Sequence, residues 1–170
     1  MQNLLETSFN DLVQRAVAAF PDTTRRQHIV DTVSVSNIEL LPAEGALIAK
    51  ATVRGTNGKN YQCVIQFDDV VYDPEEGTAS ASFTSGGKEY KIEPIRQNGT
   101  DVHVGCTCLD FRWRFAYYNK GVDALYGPTP PLYAKVPGSN KPDANPTKSP
   151  GVCKHLIDFA DELANSGLTQ

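Results

Sequence analysis

Apolar residues recur at helical spacing near the start of the chain. Leu5, Phe9, Leu12, Val13, Ala16, Val17 and Phe20 fall on one stripe of a helix over residues 3–20. Pro21 and Asp22 end it. Such a helix packs one face on the body of the chain or on a partner. After residue 28 the period becomes that of strands. Ile29 to Leu41 is rich in β-branched residues, with Val33 and Val35 among them, and Ala46 to Arg54 alternates weakly. Tyr61 to Val71 alternates well: Tyr61, Cys63, Ile65 and Phe67 share one face, and Gln62, Gln66 and Asp68 the other. Between these runs, Asn57-Gly58 predicts a type I′ hairpin turn, because both residues tolerate positive φ. Asp73 to Gly77 reads as a turn. Short strands then fit Ala79–Thr84, Tyr90–Ile95 and Asp101–Cys106, punctuated by Gly86-Gly87 and Asn98-Gly99.

The last third has another texture. Residues 109–120 predict a helix crowded with Phe111, Trp113, Phe115, Tyr117 and Tyr118, which Gly121 can close. Residues 127–151 form a long proline-rich loop, partly polyproline-like in character. Residues 153–165 predict an amphipathic helix with Leu156, Ile157, Ala160 and Leu163 on its stripe. The expected fold is α+β. An N-terminal helix (1–22) precedes an antiparallel sheet of about five to seven strands (23–105) and a C-terminal helical region with the long loop (106–170).

The 170 residues suffice for one domain with a full core. A formal charge of −4 leans away from broad nucleic-acid binding, although a local basic surface remains compatible with it. No basic, apolar secretory leader opens the chain, and no run approaches the roughly 18 apolar residues of a membrane span. The chain reads as soluble and made in a reducing compartment, where cysteines suggest metal or free thiol before disulfide.

Three of the four cysteines and one histidine fall in two tight pairs, Cys106-Thr107-Cys108 and Cys153-Lys154-His155. Zinc takes four sulfur or nitrogen donors at the corners of a tetrahedron. At a strand end, residues two apart point to the same side, so Cys106 and Cys108 can share an ion. Inside a helix, residues two apart diverge. Cys153 and His155 must therefore sit at a helix entrance, and Pro150-Gly151 supplies one. A helix start also favours thiolate. The reading is one structural Zn²⁺ held by Cys106, Cys108, Cys153 and His155, with four protein donors closing the shell that catalysis would need open. No Gly-rich phosphate loop, HExxH or serine elbow points to an enzyme.

This C-x-C then C-x-H order resembles the SWIM-type zinc finger, a hairpin bearing the first pair and a helix bearing the second. It departs from that family in the 44 residues between the pairs. More broadly, residues 106–120 (CTCLDFRWRFAYYNK) and 145–156 (NPTKSPGVCKHL), with 23–28 (TTRRQH) and 57–70 (NGKNYQCVIQFDDV), are similar to small virion structural proteins of tailed bacteriophages. The resemblance implies a capsid, neck, tail or baseplate component, made in the host cytoplasm and present in multiple copies. Its loop and N-terminal helix would meet other virion proteins. The alternative is a nucleic-acid-binding or regulatory SWIM module with a basic face of Arg112, Arg114, Lys120, Lys135, Lys148 and Lys154.

Other candidates read more simply. Cys63 lies on the apolar face of its strand and is expected in the core. His103 flanks the first pair as an exposed or supporting residue. His28 follows Arg25 and Arg26 in a solvated loop. Arg114 can pair locally with Asp110. The acidic run Asp68, Asp69, Asp73, Glu75 and Glu76 lacks calcium-loop spacing and reads as a solvated turn.

Overall fold

The computed structural model describes residues 7–20 and 34–170. The expected strand start at Ile29, the helix end at Pro21, Leu5 and His28 lie outside the described residues. Helix α1 spans Phe9–Ala19. Ser8 caps it: its Oγ accepts from the Asp11 N–H (3.2 Å), while the Asp11 carboxylate accepts from the Ser8 N–H (3.0 Å). Phe9, Leu12 and Ala16 are buried, but Val17, expected on the same stripe, is 46 % exposed. The apolar face docks on the chain itself. Phe20 meets Phe115 edge-on at 5.7 Å, and the Val102 N–H donates to the Thr7 carbonyl at 3.1 Å.

Strands β1 (Ser34–Ala43), β2 (Ala46–Arg54), β3 (Asn60–Phe67) and β6 (Val102–Cys106) form an antiparallel sheet in the order β1-β2-β3-β6. Alternation decides its inner face. Leu47, Ala49, Ala51 and Val53 of β2 stand opposite Phe67, Ile65, Cys63 and Tyr61 of β3. Phe67, Ile65 and Cys63 in turn face Val102, Val104 and Cys106 of β6. Helix α3 (Lys154–Asn165) packs across these strands and buries Leu156, Phe159, Ala160 and Leu163.

The expected single sheet of five to seven strands is a sheet of four. Strands β4 (Ala81–Ser85) and β5 (Lys88–Ile92) form a separate two-stranded sheet; among the described residues, β5 is bridged outside it only to Tyr72. Their hairpin turns on Gly86 and Gly87, both at positive φ (57° and 79°), with Ser85 opposite Lys88. This is the two-residue geometry expected at Asn57-Gly58. There, the connection is five residues long, closed by the Gly55 N–H on the Lys59 carbonyl (2.8 Å), and only Gly58 has positive φ. The Asn57 side chain accepts from the Lys59 N–H and donates to the Tyr61 hydroxyl, which stabilises the wider loop. Strand β3 stops at Phe67, short of Val71, and the positive φ of Asp69 follows.

The aromatic segment is helical but not α-helical throughout. Phe111–Ala116 forms a π-helical turn that runs into α2 (Tyr117–Gly121). Gly121 is the last helical residue, and Asp123 takes the positive φ that follows. The long loop is fastened at its root. Asn119 Oδ1 accepts from the Gly151 N–H (2.8 Å) and its Nδ2 donates to the Gly151 carbonyl (2.9 Å). Asn145 Nδ2 donates to the Arg114 and Ser149 carbonyls, both at 2.7 Å. A Cβ at Gly151 would lie 2.6 Å from the Phe115 ring and 2.9 Å from Ala16 Cβ, so only glycine lets these three segments close.

Candidate metal centre

The chain continues extended past β6. The Thr107 N–H donates to the Gln62 carbonyl (3.1 Å), and the Gln62 N–H to Thr107 Oγ1 (2.9 Å). Thr107 is thereby held on the β3 side, and Cys106 and Cys108 present their sulfurs to a common point. Cys153 is the N-cap of α3, with extended backbone (φ −86°, ψ 167°), and its carbonyl accepts from the Leu156 and Ile157 N–H groups. His155 is therefore in the first turn, and the helix-entrance geometry expected of the C-x-H pair is the one observed.

The ligating atoms of Cys106, Cys108, Cys153 and His155 all lie within 4.8 Å of one another. Among the described residues this is the only group of three or more Cys, His, Asp or Glu side chains close enough to share an ion. Tetrahedral zinc with sulfur and nitrogen bonds of about 2.3 and 2.0 Å sets donor–donor edges of roughly 3.6–3.8 Å. The His155 Nδ1 is 3.9 Å from Cys106 Sγ, near that edge. The four residues could thus hold a metal ion. All four cysteines are free thiols.

The electrostatics point the same way. Hydrogen bonds from Cys106 and Cys153 hold the Cys108 thiol far below its ordinary pKa, against the cost of burial. The bond to Cys108 pushes Cys106 far up, and burial with bonds to Cys106 and Cys108 pushes Cys153 up. A divalent ion would offset the cost of burying thiolates that raises Cys106 and Cys153.

The imidazole is held from behind. Tyr61 lies against it at 4.6 Å. A Cβ at Gly55 would be 3.0 Å from His155 Nε2, so the ring is seated where no side chain fits. That Nε2 is buried and has no hydrogen-bond partner among the described residues.

Sequence reasoning missed Cys63 as a neighbour of this group. It is buried in the core as expected, yet its Sγ is 3.5 Å from Cys106 Sγ. The bond to Cys106 lowers its pKa, but burial, with the neighbouring sulfurs adding to it, prevails and the net direction is upward. No signal short of the β3–β6 register could have found this contact. His103 stands apart from the cluster, 3.0 Å from Asp68 and 3.6 Å from Asp123. Arg114 makes the local pair with Asp110 (2.6 Å), donates to the Ala144 carbonyl and is only 8 % exposed. Arg112 and Lys120 are exposed, as are Lys135 and Lys148, while Lys154 reaches Thr56 at 3.0 Å. No protein-family model, curated protein or solved structure matches the chain.

Proposed function

We propose that the four-residue cluster holds one structural zinc ion, and that the chain is an assembly component of a tailed-phage virion, not an enzyme. The observation that carries the metal reading is the donor set: three thiols and one imidazole, mutually within 4.8 Å and all buried. Soft sulfur with one nitrogen suits zinc, and four protein donors leave no position for a reacting water. The virion setting rests on the sequence resemblance of residues 106–120 and 145–156. The buried face of α1 is used within the chain, which favours the proline-rich loop over the helix as the surface that meets neighbours. The loop exposes Leu132, Tyr133 and Val136. The nucleic-acid reading loses Arg114 to the pair with Asp110.

Elemental analysis of the purified chain tests the first half, with about one zinc per chain expected. Mass spectrometry of assembled particles tests the second. Absence of the chain from every particle would remove the virion reading and leave the metal reading standing.

A further inference from the structure

The sulfur that the proposed ion does not need is the informative one. Cys63 and Cys106 are direct partners across β3 and β6. Antiparallel partners stand about 4.5–5.5 Å apart at Cα, inside the roughly 4.4–6.8 Å span of a disulfide. Their sulfurs are 3.5 Å apart, with the Cys63 thiol donating to Cys106. Access is unequal. Cys63 and Cys153 are 0 % exposed and Cys108 3 %, while Cys106 is 8 % exposed. Cys106 also lines a groove of about 390 Å³ between Val64, Phe111 and Tyr126. A small oxidant entering that groove meets Cys106 first, with Cys63 behind it.

We propose that Cys63 and Cys106 form a peroxide-sensitive pair whose oxidation to a disulfide opens the metal site. This rests on the zinc reading above. The Cys106 sulfur attacks a hydroperoxide oxygen; an S–O bond forms, the O–O bond breaks and hydroxide leaves. The Cys63 sulfur then displaces that oxygen, so that the S–S bond forms, the S–O bond breaks and the Cys63 proton departs with it as water. Both sulfurs are oxidised and the peroxide is reduced. Cys106 is no longer a thiolate, and three donors remain for the ion. Reversal needs only a thiol reductant and fresh metal.

The test treats the zinc-loaded full chain with hydrogen peroxide, follows zinc with a chromophoric chelator and maps the linkage by mass spectrometry. The expected result is a Cys63–Cys106 bond formed in step with loss of the ion, and full zinc uptake after reductant. Cys63→Ser and Cys63→Ala, checked for fold by circular dichroism, should bind zinc. After the same cycle they should recover less than about half, because Cys106 proceeds to the sulfinic acid. A bond among Cys106, Cys108 and Cys153 with Cys63 still reduced overturns the proposal, as does full recovery in folded Cys63 variants. Zinc content before peroxide is a separate readout. A chain without zinc that forms the Cys63–Cys106 bond defeats the metal reading while upholding the pair.

Discussion

In β2 every second residue from Leu47 to Val53 is buried; between residues 127 and 143 none is. The two regions are held by different physics. The sheet is secured many times over, since the inward residues of β2 and β3 have partners on both neighbouring strands and α3 packs across all four. The loop region has little apolar area to bury. It depends on a few fastenings: Asn119 and Asn145 on backbone groups, Arg114 on Asp110, Gly151 under Phe115, and the sulfur–imidazole cluster at its two ends. An ion held by that cluster would cross-link residues 106 and 155 and shrink the unfolded ensemble, as any closure of a long loop does. The lesson is that mutational cost should be spread out in the first region and concentrated in the second.

The strongest way to break that contrast is to remove a ligand. Cys153→Ser should abolish zinc binding and cost of the order of 5 kcal/mol or more, because the binding energy is folding energy here. Denaturation with and without a chelator measures it, and a variant as stable as the parent would contradict the staple. Metal affinity should also depend on pH. The bond to Cys108 pushes Cys106 up and burial pushes Cys153 up, while bonds from Cys106 and Cys153 push Cys108 down. Binding therefore expels protons, and affinity rises with pH. Stability derived from the metal is thus lost as pH falls, and calorimetry in buffers of different ionisation heat counts the protons.

Smaller effects sharpen the picture. Gly151→Ala should cost about 3 kcal/mol by forcing Phe115 and Ala16 apart. Asn145→Ala should cost about 2 kcal/mol by orphaning buried carbonyls. Thermal melts rank the two. Val136→Ser, at a site 70 % exposed in the middle of the loop, should stay within about 0.5 kcal/mol. A large loss there would mean that the loop is packed, not merely tethered.

Much of this was legible along the chain. The run Ala46–Arg54 is β2 residue for residue, and α3 with its two ligands at the entrance follows from C-x-H spacing after Pro150-Gly151. Sheet membership was not legible. β4 and β5 alternate like the other strands, and which strands pair is decided by tertiary packing, not by period. The π-turn was hidden because aromatics at Phe111, Trp113 and Phe115 satisfy no single helical period. Nothing in the sequence singles out Asn119 and Asn145, since their task depends on carbonyls some 30 residues away.

Gly151 draws three lengths of chain to one point: α1 through Ala16, the aromatic turn through Phe115 and, two residues on, the sulfur of Cys153. Pulling α1 away would thus disturb Phe115 and Gly151 two residues from Cys153, so a cation held there would be coupled through this glycine to the seating of the helix.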